Sequence, residues 1–121
     1  MGSSAQHAQS VLIVEDSWLL AEQVESWLSD DGIAIAGKAS SPSEALSLAR
    51  AGQPGFAIVD LNLGGESAFG LIENLRSQRI KVVVVTGYSN IAPREGVAAV
   101  LQKPCTKEAL VGALRAAGLQ N

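Results

Sequence analysis

The chain has 121 residues, of which 47% are hydrophobic and only 4% aromatic, and it carries a formal net charge of −3 with a pI near 5.0. That length suits one domain with an aliphatic core of Val, Leu, Ile and Ala that needs no disulfide or structural metal. The acidic balance argues against nucleic acid or an anionic membrane as the main partner.

Cys105 is the single cysteine, which excludes an internal disulfide and suggests a reducing compartment. His7 and Cys105 are too few for a zinc site, and His7 lies in a polar leader where it cannot serve a buried hydrolase triad. No apolar run approaches transmembrane length and no leader resembles a signal peptide, so the chain reads as cytoplasmic.

Met1 to Gln9 is small and polar without periodicity and is expected to be a disordered leader, leaving 10–121 as the folded domain. Val11-Leu12-Ile13-Val14 is an unbroken apolar run, as in a strand buried on both faces, and it ends on Glu15 and Asp16. Ser17 opens a helix with Leu20, Val24, Trp27 and Leu28 in an i, i+4, i+7, i+8 stripe. Asp30-Asp31-Gly32 ends it as a solvated helix terminus. Ile33 to Gly37 reads as a strand near an edge, because its residues are small. Ser41-Pro42-Ser43-Glu44 is a capping box with Pro at the first helical position. The helix it starts carries Ala45, Leu46, Leu48 and Ala49 and is ended by Gly52 and Pro54.

Phe56-Ala57-Ile58-Val59 is a third buried strand, closing on Asp60 and followed by Leu61-Asn62-Leu63 and a Gly64-Gly65 turn. A helix follows with Ala68, Ile72 and Leu75 on one face and Phe69 and Leu71 flanking it. Ile80 to Val85, interrupted only by Lys81, predicts a central strand that ends at Thr86-Gly87-Tyr88-Ser89. Pro93 and Gly96 restrict any fourth helix to about one or two turns. Ala98 to Leu101 is a short strand ending at Gln102-Lys103-Pro104, and Thr106 caps a last helix with Leu110, Val111 and Leu114 inward. Regular alternation of strand and helix predicts an α/β fold, a five-stranded parallel sheet with helices on both faces.

Four of these strands end on reactive groups: Glu15 and Asp16, then Asp60, Thr86 and Lys103. In a parallel sheet those ends share one edge, where open α/β sheets place ligands. Singly, Asp60 reads equally well as a turn cap, Thr86 as a turn former, Lys103 as a solvated cation and Glu15-Asp16 as helix N-terminal charge. Together, three carboxylates repel unless a cation neutralises them, and a hard oxygen-ligated ion such as Mg²⁺ fits. A lysine and a hydroxyl aimed at the same point suit a phosphoryl group.

With Val-Leu-Ile-Val-Glu15-Asp16, Ile-Val-Asp60-Leu-Asn62, Val-Val-Thr86-Gly87 and Leu-Gln-Lys103-Pro104 in that order, the chain resembles the receiver domains of bacterial two-component response regulators. The resemblance implies a flavodoxin-like doubly wound sheet of order 2-1-3-4-5. It implies that Asp60 accepts a phosphoryl group from a histidine kinase or phosphotransfer protein. Glu15, Asp16 and Asp60, with the Asn62 backbone carbonyl, would hold Mg²⁺. Thr86 and Lys103 would bind the phosphoryl oxygens, Gly87 would leave the pocket open, and Pro104 would shape the loop through a cis bond. Slow self-dephosphorylation by water, and no other enzyme activity, would follow.

The departures are specific. The family's aromatic switch position is Val100, and the interval from Thr86 to Lys103 is short, so a fourth helix is expected to be short or irregular. Thr86-Gly87-Tyr88 resembles a subgroup with a Phe-Ala-Thr-Gly-Tyr-type motif, which makes Tyr88 a candidate replacement for the switch residue. Gly64 stands where Pro is usual and predicts a more mobile loop. Cys105 replaces a frequent aromatic and reads as a small buried hydrophobe rather than a redox sensor. With no effector domain in the sequence, output is expected through protein contacts or a phosphorelay with an unknown partner. Two alternatives stand beside this: a degenerate receiver used for phosphorylation-independent docking, and a haloacid-dehalogenase-like phosphohydrolase. The second needs an Asp-x-Asp nucleophile motif, where this chain has Asp60-Leu61-Asn62.

Overall fold

The computed structural model describes residues 9–63, 66–87 and 97–120. Along the chain run β1 (Val11–Val14), α1 (Trp18–Asp30), β2 (Ile35–Ala39), α2 (Pro42–Gly52), β3 (Phe56–Asp60), β4 (Asn62–Leu63), β5 (Glu66–Ser67), α3 (Phe69–Ser77), β6 (Lys81–Thr86), β7 (Val97–Gln102) and α4 (Lys107–Ala116). Five strands form one sheet in the order β2-β1-β3-β6-β7, with every neighbouring pair parallel. This is the doubly wound order that the family resemblance implied.

Strand alternation divides the core. Leu12, Val14, Ala57, Val59, Val82 and Val84 face one side, where they meet Ala45 and Ala49 of α2 and Leu71, Ile72 and Leu75 of α3. Val11, Ile13, Phe56, Ile58, Val83 and Val85 face the other, against Ala21 and Leu28 of α1 and Leu110, Val111 and Leu114 of α4. Burial of each such Val, Leu, Ile or Phe side chain stabilises the fold by roughly 1.5–3 kcal/mol. That explains why β1, β3 and β6 read as continuous apolar runs.

Several elements differ from the sequence expectation. β2 starts at Ile35 rather than Ile33, because the chain leaving α1 turns back on the helix end. Gly32 adopts φ 74°, and the Ile33 N–H donates to the Leu28 carbonyl at 2.9 Å. Ile33 is therefore buried as a plug at the helix terminus. In α1 the inner line is Ala21 and Leu28, with Val24 and Trp27 half-buried and Leu20 39% exposed. α2 ends at Gly52, but the left-handed cap is Gln53, at φ 45°. In the capping box Ser41 accepts from the Glu44 N–H, while Glu44 reaches back to the N–H of Ser40 at 2.7 Å instead of that of Ser41. β6 is displaced by one residue toward Thr86, and β7 is longer than expected.

The two-residue strands β4 and β5 pair antiparallel, Asn62 with Ser67 and Leu63 with Glu66, a small hairpin the sequence reading did not anticipate. Leu63 is buried in the core on the α2 and α3 side and anchors it. Gly64, Gly65, Tyr88, Pro93, Gly96 and the short fourth helix expected after Thr86, together with the leader to Ala8, lie outside the described residues.

Candidate functional site

The carboxyl ends of β1, β3, β6 and β7 converge because the sheet is parallel. β3 delivers Asp60, 6% exposed, whose Oδ1 accepts the Asn62 N–H at 3.1 Å. β1 delivers Glu15 and Asp16. The Glu15 Oε2 accepts the Ser17 N–H at 3.1 Å, and the Glu15 backbone N–H donates to the Ala39 carbonyl at 2.9 Å. Lys103 follows β7, and its backbone N–H donates to the Thr86 carbonyl at 2.7 Å, extending the ladder past the strand. The Lys103–Pro104 bond is cis, as the resemblance implied.

Lys103 Nζ lies 3.1 Å from Asp60 Oδ2 and 3.3 Å from Glu15 Oε1. Glu15, Asp16 and Asp60 each place a carboxylate oxygen within 4.8 Å of the others. Two like charges at that separation repel by about 3 kcal/mol at an effective dielectric constant of about 20. Burial raises the Glu15 carboxyl above its ordinary range, and the Asp60 charge adds to the rise against the opposing Ser17 N–H and Lys103. Burial opposes the charged form of Lys103, yet its bonds and charge contacts with Asp60 and Glu15 outweigh this and raise its pKa. Three carboxylates against one ammonium leave a deficit of positive charge. The donor set is all oxygen, from two strand ends, and suits a hard divalent ion such as Mg²⁺.

An open cleft of about 440 Å³ covers this cluster, lined by Glu15, Asp16, Ser17, Asp60, Asn62 and Lys103 among others. Gly87 also lines it, but a Cβ built there meets nothing within 4 Å among the described residues, so no close approach demands glycine. Thr86 closes β6 and is only 1% exposed, beneath rather than on the cleft wall. Val100 is half-buried against the α2 and α3 side of the core. Pro104 and Cys105 line a second, apolar space under the cleft. Cys105 is half-buried, and burial pushes its thiol pKa up.

Two features escaped the sequence reading. Ser17 serves both as the α1 cap, accepting from the Leu20 N–H, and through its own N–H as a holder of Glu15. Trp18, 72% exposed, lines a shallow recess with Glu15 and Asp16, and Leu19 beside it in the chain is 63% exposed. A cap motif predicts the first role of Ser17 only, and helical periodicity does not report which apolar residues remain uncovered.

The fold and this strand-end site define a class of protein. The response regulator receiver domain family matches residues 11–115, and the chain belongs to that family. The acid tolerance regulatory protein ActR of Sinorhizobium medicae is 31% identical over 113 residues, covering 88% of this chain and 58% of ActR. A Burkholderia pseudomallei response regulator, whose crystal structure holds a phosphorylated aspartic acid, a calcium ion and citrate, superposes with a TM-score of 0.81 at 31% identity, covering 93% of this chain and 71% of that one. SdrG of Sphingomonas melonis Fr1 superposes at 0.75 with 34% identity, covering 89% and 94%. The chain spans 55–63% of the length of the curated relatives it matches. It is a receiver domain, a signalling module. No helix among the described residues is long and apolar enough to cross a membrane.

Proposed function

We propose that residues 10–121 form a cytoplasmic phosphoacceptor unit in which Asp60 takes a phosphoryl group from a phosphohistidine on a histidine kinase or phosphotransfer protein, and that the phosphorylated chain signals by protein contact or relays the group onward. The observation that carries this reading is the buried Asp60 carboxylate 3.1 Å from Lys103 and clustered with Glu15 and Asp16. The phosphorylated aspartic acid in the related Burkholderia pseudomallei protein supports it.

An Asp60 carboxylate oxygen attacks phosphorus in line, the phosphorus–nitrogen bond breaks, and the imidazole leaves with its electron pair and takes up a proton. Glu15, Asp16 and Asp60 would hold Mg²⁺ with the Asn62 backbone carbonyl. When bound, the ion neutralises charge growing on the transferred group. Lys103 already bridges Asp60 and Glu15 and follows the new charge from carboxylate to phosphoryl oxygen. Thr86 offers a hydroxyl from the end of β6 to the transferred group. Water attack on the acyl phosphate then resets Asp60.

Beryllofluoride with Mg²⁺ tests the reading without a kinase. Amide shifts at Glu15, Asp16, Asp60, Asn62, Thr86 and Lys103, abolished by Asp60→Asn, are the expected result. An unchanged amide spectrum would favour the phosphorylation-independent docking module instead.

A further inference from the structure

Under the acidic cleft, between α1, the sheet and α4, lies an apolar chamber of about 370 Å³. Val24, Trp27, Ile58, Val85 and Leu110 wall its body, and Cys105 stands on its flank. Val24, Trp27 and Cys105 are half-buried and Leu20 is 39% exposed, because all four border this open space. The volume exceeds the roughly 150 Å³ that accommodates benzene and lies within the usual range for small-molecule sites. Water against such walls finds few partners, so an apolar body that displaces it gains affinity.

We infer that this chamber binds a small uncharged arene of one or two rings. Glu15, Asp60 and Lys103 also line it, yet they ask for no charged partner. Lys103 Nζ bonds to Asp60 Oδ2 and Glu15 Oε1, and the remaining carboxylate oxygens take the Asn62 and Ser17 N–H groups. With a divalent ion held by Glu15, Asp16 and Asp60, the three carboxylates, the ammonium and the ion sum to zero. A charged ligand would therefore carry its charge among apolar walls without a counter-charge, which is costly. An uncharged ring loses nothing there and packs on Trp27, Val24 and Leu110. Pro104 and Cys105 line the same space, so an occupant braces the segment that carries Lys103. Any effect on phosphoacceptance rests on the proposed role of Asp60, whereas binding itself does not.

The chain's two tryptophans supply the test. Trp27 lines the chamber and Trp18 does not. With Mg²⁺ present, the full chain is titrated separately with indole, with the cation of tryptamine and with indole-3-acetate, while both protein indole N–H resonances are followed. Saturable movement of Trp27 and not of Trp18 is expected, with indole the tightest of the three probes. Cys105→Phe fills the chamber from its flank and should weaken indole by about tenfold or more, whereas Cys105→Ala should not. Val24→Phe, from the facing helix, repeats the test should Cys105→Phe fail to fold. Intact mass after treatment with acetyl phosphate reports phosphoacceptor function separately. A Trp27 resonance unmoved by indole, equal or tighter binding of either charged probe, or full affinity in a folded filling variant would overturn the inference.

Discussion

At Glu15 the sign of the local field has a measurable consequence. Burial and the neighbouring Asp60 raise its pKa in the folded protein. The folded state therefore binds this proton more tightly than the unfolded chain, and the contribution to stability present below the unfolded pKa is lost as pH rises through the folded one. At neutral pH, without metal, Glu15→Gln should raise stability by on the order of 1 kcal/mol, since it removes repulsion while Asp60 still pairs with Lys103. The same variant should lose most of the stabilisation that Mg²⁺ confers on the parent. Urea unfolding with and without Mg²⁺ checks both, and a destabilised metal-free variant would contradict the electrostatic account. A second residue carries a backbone prediction: Gln53 sits at φ 45°, where a side chain costs about 1 kcal/mol. Gln53→Gly should therefore raise the urea midpoint, net of glycine's entropy. The reactive identities of Glu15, Asp16, Asp60 and Lys103 were legible in the sequence because each follows an apolar run. The left-handed cap at Gln53 was not, because Gly52 beside it is the stronger terminator signal.

Among the elements, the β4–β5 hairpin bears most directly on the site. Asn62 opens it and donates to Asp60, while Leu63 is 2% exposed and holds the hairpin to the core. Leu63→Ala should cost roughly 2–5 kcal/mol and increase exchange of the Asn62 amide more than that of amides in β1. Hydrogen exchange separates this local release from global unfolding; uniform acceleration would show that the hairpin adds no order of its own. The sequence predicted a mobile turn from Gly64-Gly65 but not the pairing on either side, because two-residue strands carry no periodicity. Helix starts were legible for a contrasting reason: Ser17, Ser41 and Thr106 each accept an N–H from the first turn. The start of β2 was not, since Ile33 is equally apolar as a strand residue or as a plug on α1, and only the tertiary turn at Gly32 decides.

Across the whole molecule, parallel order converts residues far apart in sequence into one cluster. Lys103 reaches Asp60 and Glu15 because β7, β6, β3 and β1 all end on the same edge. Strand order was carried by resemblance, whereas the shared edge followed from alternation alone. The apolar chamber emerges only at this scale, since its walls come from α1, three strands and α4. The most direct test of phosphoacceptance is intact mass after incubation with acetyl phosphate and Mg²⁺, with Asp60→Asn alongside. One added phosphoryl group, absent from Asp60→Asn and from the metal-free reaction, is predicted. An adduct that persists in Asp60→Asn, or none on the parent chain, would contradict the assignment of Asp60 as the phosphoacceptor.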